Sequence, residues 1–193
     1  MTVDGARERM IASARYLLAR EGYQGASFSA VLEHSGAPRG SIYHHFPDGK
    51  DQLIAAAVDS TLQRGLTHLE GVPRTSLTSV LRGIAGYWRG LLERSDCLAG
   101  CPIVATSVGA TDPTVLAHVQ QALSTWRAAY RDVLEEAGVP RRRSAESAAL
   151  LLCGYQGALH VARAERSLEV FDVTSRALRR SVLDAVTPPK GAR

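Results

Sequence analysis

Between Arg39 and Lys50 the chain sets an arginine, a tyrosine, two histidines and a lysine around Ile42 and Phe46. Arg39 can give paired hydrogen bonds to a guanine edge, or a single contact to phosphate. Tyr43 and His44 can hydrogen-bond phosphates or bases. Lys50 can pair with a phosphate that a helix N-terminus also attracts. Gly40 removes a side chain where a helix must come close to its target. Together these groups suit a surface that meets double-stranded DNA, provided that the polar residues face one way and the apolar ones the other.

Helical spacing makes that separation. Ile42 and Phe46 lie four apart and share one face, whereas Arg39, Tyr43 and His44 point elsewhere. Upstream, Phe28, Val31 and Leu32 fall at helical spacing behind Ser27, an N-cap candidate, and Gly36 stands where a left-handed residue would end that helix. Pro38 suits the first position of the next helix, where its missing N–H has no intrahelical partner to lose. Residues 27–50 therefore read as a helix-turn-helix, whose second helix enters the major groove.

On these residues the chain resembles the TetR/AcrR transcriptional regulators. GAPRGSIYHHF, followed by Lys50 and Leu53, is similar to that family's Gly-Val-Ser-x-Gly-x-Leu-Tyr-x-His-Phe-x-x-Lys signature. Pro47-Asp48-Gly49 places three residues before the lysine where the commonest pattern has two. The form HHFPDGKDQL, with Ala37-Pro38 in the turn, resembles the LmrA/YxaF branch more closely. The resemblance matches Tyr43, His45 and Lys50 to the family's recurring Tyr, His and Lys. It implies an all-α fold, a homodimer formed through the last two helices, a palindromic operator and a small-molecule ligand. The expected DNA-binding set is Ser27, Ser29, Arg39, Gly40, Ser41, Tyr43, His44, His45 and Lys50.

Composition sets bounds on this reading. A chain of 193 residues with 45% hydrophobic content suits a small head joined to a larger helical body. No apolar run approaches the roughly 18 residues that span a bilayer, and the polar, charged start does not read as a secretory signal. A cytoplasmic protein with no membrane partner is expected. Three cysteines without metal-type spacing argue against a disulfide framework. The net charge of +4 does not make the DNA argument, because residues 1–68 carry seven Arg/Lys and seven Asp/Glu. The arrangement of the motif has to carry it.

Along the rest of the chain the periodicity predicts helices throughout, about nine in all, with no period-2 alternation. Ala6 to Glu21 makes one apolar face, and Tyr23 to Ala26 reads as a short connection. Lys50 to Leu69 would join head to body. Thr75 or Ser76 can cap one helix, and Asp112 reads as the cap of another, followed by Pro113. Arg141 to Glu165 is apolar on more than one face and must be covered on more than one face. The expected division is a DNA-binding domain at 1–49, a ligand-binding and dimerisation domain at 50–187, and a flexible tail at 188–193.

Tyr87, Trp88, Trp126 and Tyr130 are aromatics of the kind that line apolar cavities between helices, and His118, Gln156 and His160 could add polar contacts. They form the expected ligand-binding set. No Gly-rich phosphate loop, metal-ligand cluster or nucleophile-base pair is found, so neither enzymatic activity nor a cofactor or metal is expected. The function expected is a TetR-type regulator, a repressor released from its operator by a small molecule. The competing classes are a small helical enzyme and a helix-turn-helix module whose body binds another protein.

Overall fold

The computed structural model describes residues 3–186. The expected tail at 188–193 lies outside these residues. Nine α-helices make up the described chain, with no strand among the described residues. They are α1 (Val3–Gly25), α2 (Phe28–Ser35), α3 (Arg39–His45), α4 (Lys50–Glu70), α5 (Leu77–Arg94), α6 (Pro102–Gly109), α7 (Pro113–Glu136), α8 (Arg141–Glu165) and α9 (Glu169–Asp184). The expected all-α architecture is present, and packing divides it into two compact units, residues 1–64 with 99–123, and 65–98 with 124–193.

The first unit packs α1 against α2, α3 and α6. Its core collects Met10, Ala14, Leu17 and Leu18 from α1 with Val31, Ile42, Phe46, Leu53 and Ile54, all buried. Burying a side chain such as Ile42 or Phe46 stabilises the fold by about 1.5–3 kcal/mol, which fixes the rotation of α3 about its axis. Ser13, also buried, meets His34 Nδ1 at 3.0 Å and ties α1 to α2 without leaving a hydroxyl orphaned. Gly22, at φ 76 and ψ −172, interrupts α1 and turns its final residues aside. The sequence reading of a helix ending at Glu21 therefore marks a real break, although the helical pattern resumes through Gly25.

In the second unit α8 and α9 pack on each other and both pack on α5. Leu178 of α9 occupies the space where a Cβ on Gly154 would stand, 2.7 Å from that position, so the two helices approach closely there. Tyr155 stacks on Phe171 with ring centroids 5.7 Å apart. Arg89 of α5 donates to Asp172 of α9 at 2.9 Å and also pairs with Glu93. Ser76 caps α5 by accepting from the Ser79 N–H at 3.1 Å, as its position before the helix predicts.

Candidate nucleic-acid interface

Local rules build the helix-turn-helix. Ser27 Oγ accepts from the Ala30 N–H at 3.2 Å and caps α2. Gly36 at φ 63 closes that helix, and its N–H donates to Leu32 O at 3.0 Å. Pro38 stands one residue earlier than expected, as the N-cap of α3 in extended conformation. Gly49 at φ 89 donates to Phe46 O at 3.1 Å, so the extra residue of Pro47-Asp48-Gly49 is taken up in a turn that needs a left-handed backbone.

α3 then sorts its residues as the spacing requires. Ile42 and Phe46 are fully buried, whereas Arg39, Gly40, Tyr43 and His44 are exposed. Tyr43 is 67% exposed and meets the edge of Phe28, with centroids 5.7 Å apart. A Cβ on Gly40 would meet nothing within 4 Å. No packing inside the chain calls for glycine at that position, which leaves a bare patch of backbone on the outward side. His44 and His45 set their rings 5.2 Å apart.

The remaining polar candidates are partly committed. Ser41 Oγ donates to Pro38 O at 2.7 Å, and Ser29 Oγ lies 3.0 Å from Ser27 Oγ; both hydroxyl oxygens keep acceptor capacity. Lys50 is half-buried, its Nζ donating to Tyr23 O at 2.8 Å and lying 4.0 Å from the centre of the Tyr23 ring. Burial lowers its pKa, and the Asp51 charge works against that shift. Two of its three ammonium protons are not used by the Tyr23 bond. The Tyr23 hydroxyl donates to Asp51 Oδ1 at 2.6 Å; burial first, then Asp51, pushes this phenol up to about 12.

Two further residues meet the helix-turn-helix. Glu33 lines a groove between α2 and α3 with Phe28, Ser29, Leu32, Ala37, Arg39 and Tyr43. It follows Ser29 by four residues, and that spacing could have placed it on the same face. Arg7 holds its guanidinium 5.5 Å from the centre of the Phe46 ring. No local pattern signals that contact, because it joins residues distant in sequence.

The ligand candidates fall into separate settings. Trp88, Trp126 and Tyr130 are 1%, 1% and 2% exposed. The two indoles stack with centroids 5.0 Å apart, Trp88 Nε1 donates to the Tyr130 hydroxyl at 3.0 Å, and Tyr87 sets its edge on Trp88 at 4.9 Å. These four rings pack on one another. His118 is not with them: it belongs to the first unit, where its Nδ1 lies 3.0 Å from Asp59 Oδ1. His160 is exposed and donates from Nδ1 to the Gln156 carbonyl at 2.7 Å. Gln156 is 8% exposed, and its side-chain nitrogen and oxygen find no hydrogen-bond partner among the described residues. No group of three or more His, Cys, Asp or Glu able to hold a metal occurs among the described residues.

A capped helix, a left-handed turn and a short second helix with one buried edge and one polar outward edge define the helix-turn-helix class. The comparisons carry this further. Residues 10–57 match the family described as bacterial regulatory proteins, tetR family, and residues 78–177 match the transcriptional regulator LmrA/YxaF-like C-terminal domain. An uncharacterised HTH-type transcriptional regulator of Mycobacterium tuberculosis is 35% identical over 191 residues, covering 94% of this chain and 96% of that one. The HTH-type transcriptional regulator LmrA of Bacillus subtilis is 24% identical over 164 residues, covering 82% and 87%. In fold, the regulatory protein TetR from Rhodobacter sphaeroides superposes with a TM-score of 0.82 at 20% identity, over 91% of this chain and 97% of that one. The chain belongs to the TetR family of helix-turn-helix transcriptional regulators, in the LmrA/YxaF-like branch.

Proposed function

We propose that the protein is a dimeric repressor that binds a palindromic operator through α2 and α3 and leaves it when a small molecule enters the body. The observation that carries the DNA-binding part is α3 itself. Ile42 and Phe46 are pinned in the core, so Arg39, Tyr43 and His44 are turned outward beside the bare backbone of Gly40. Ser27, Ser29, Ser41, His45 and Lys50 border that row and take the phosphate-contacting roles. The relatives named HTH-type transcriptional repressor AcnR in Corynebacterium, one of them 32% identical over 79 residues, support repression as the sense of regulation.

In this reading residues 1–49, together with Lys50, touch DNA, and residues 50–187 carry pairing and ligand response. That is a division of roles; the packing unit that holds residues 1–64 also takes in 99–123. Pairing uses α8 and α9. Leu150 and Val161 on α8 and Val173 on α9 are 40%, 41% and 50% exposed, and Gly157 has open space beyond it. A two-fold pair would present two copies of α3 to successive major-groove turns, about 34 Å apart. The ligand response uses the aromatic group and the unpartnered Gln156 amide, whose burial without hydrogen bonds is a cost that a polar ligand would remove. No catalytic role is proposed, and the protein acts in the cytoplasm, where its operator is. No helix among the described residues is long and apolar enough to cross a membrane.

Footprinting of the DNA upstream of the protein's own and neighbouring genes tests the proposal. Protection of an inverted repeat, in two stretches on one side of the duplex, is the expected result. Uniform protection that any competitor DNA removes would refute operator binding.

A further inference from the structure

Tyr23 falls in the stretch that the sequence marks as a connection, yet it touches both the start of α4 and the last turn of α6. Its hydroxyl donates to Asp51 at 2.6 Å, its carbonyl accepts from Lys50 at 2.8 Å, and its ring lies under the Lys50 ammonium at 4.0 Å. Lys50 and Asp51 are the first two residues of α4, directly after the turn that leaves α3. The other side of Tyr23 is closed by the last turn of α6. A Cβ built on Gly109 would stand 2.5 Å from Tyr23 Cβ and 3.2 Å from its Cγ. Those atoms adjoin the backbone, so no side-chain rotation of Tyr23 can clear Cβ. Gly109 is not among the residues with positive φ. Contact with Tyr23, and not backbone conformation, is what excludes a side chain there.

We infer that Tyr23 is a positioning residue through which the last turn of α6 sets the start of α4 and, with it, the recognition helix α3. This rests on the DNA-binding reading above and adds a route by which the surface is regulated. Packed contacts of this kind do not yield gradually. A shift of α6 at Gly109 must move Tyr23, and Tyr23 holds α4 by a hydrogen bond, a carbonyl and a ring face. The reading surface therefore shifts without substitution of any residue that touches DNA. The Gly100 N–H donates to Ala19 O at 2.8 Å, a second tie between α1 and the segment that leads into α6.

The test uses the full chain as wild type, Gly109→Ala, Tyr23→Gly and the double variant, with Tyr23→Phe as a further background. The probe is the duplex that wild type enriches from a random-sequence library, and hydrogen exchange of the backbone amides of residues 39–46 is measured without DNA. Gly109→Ala is expected to weaken duplex binding about tenfold, a coupling typical of contacting residues, and to speed exchange in 39–46. In the Tyr23→Gly background, which lacks the opposing Cβ, the same substitution should change neither readout. In Tyr23→Phe, which keeps Cβ and loses only the Asp51 bond, it should cost less than in wild type. Tyr23→Phe also serves if Tyr23→Gly does not fold. Equal losses in every background, or unchanged exchange in 39–46 with Gly109→Ala, would overturn the inference. A urea midpoint that falls while duplex affinity stays at the wild-type level would do the same, since that is what a purely structural role predicts. If wild type enriches no sequence at all, the DNA-binding reading fails, and the exchange data alone decide whether α6 governs α3.

Discussion

Arg39 and Lys50 carry the same charge in opposite settings, one free in solvent and one held against Tyr23. Arg39→Ala should remove base discrimination worth about 1–3 kcal/mol at one position and relax sequence preference there. Lys50→Ala should weaken binding evenly across sequences and flatten its salt dependence by about one phosphate contact. Gel shifts with matched and mismatched duplexes over a salt series separate the two, and wild-type affinity in both variants would contradict the assignment. Tyr23 gives a pH test. Its folded pKa is raised, from 10.0 to about 12, by burial and then by Asp51 and Asp112. The neutral phenol is thus favoured in the folded state. Its stabilisation is complete below the unfolded value near 10.0 and is lost as pH climbs through about 12. In tyrosine absorbance, the difference between wild type and Tyr23→Phe should titrate near 12, well above the ordinary value of 10.0. At this scale the sequence showed the exposed row, because four-residue spacing and one apolar pair determine it. It did not show what holds Lys50, since Tyr23 lies far from it along the chain.

Among the elements, α5 needs tertiary support to persist as a helix. Gly83, Gly86 and Gly90 lower the helix propensity of α5 by roughly 1 kcal/mol each relative to alanine. The helix persists with Val80, Leu81, Ile84, Trp88 and Leu92 buried. Val72 fills the space beside Gly83, 2.5 Å from where its Cβ would be. The Trp88–Tyr130 hydrogen bond sits inside this packing, so Tyr130→Phe should leave the indole N–H unsatisfied and cost about 1–3 kcal/mol. Urea denaturation should show a lower midpoint with an unchanged slope. Helix positions and caps were legible because Ser27, Ser76 and Asp112 accept from N–H groups two or three residues on, a purely local relation. The use of small residues on α8 was less so. Leu178 fills the space beside Gly154 and Ala158 is buried within the chain, whereas Gly157 keeps open space. Which neighbour fills a gap is decided by tertiary packing, which no periodicity records.

For the whole molecule, pairing and DNA binding are predicted to fail together. Val161 is 41% exposed on the α8 face that also carries Leu150 and Gly157. Val161→Glu should place a charge in each half of a two-fold interface while leaving the core untouched. Sedimentation velocity should then report a monomer where wild type is a dimer, with circular dichroism unchanged and operator affinity lost with the second reading head. A wild-type monomer at micromolar concentration would count against the dimer directly. The all-α class and the helix-turn-helix were open to sequence reasoning, as both follow from period and punctuation. The packing units were not, since residues 99–123 join residues 1–64 across an intervening helix.

That discontinuity bears on how the protein is made. The ribosome delivers α2 and α3 early, but the unit that contains them is complete only when residue 123 has been synthesised. At about 5–20 residues per second the wait lasts several seconds. During that interval the α1 face that α6 will cover is open to chaperones, and a message cut short after residue 64 would yield a chain whose reading helices lack their last supporting partner.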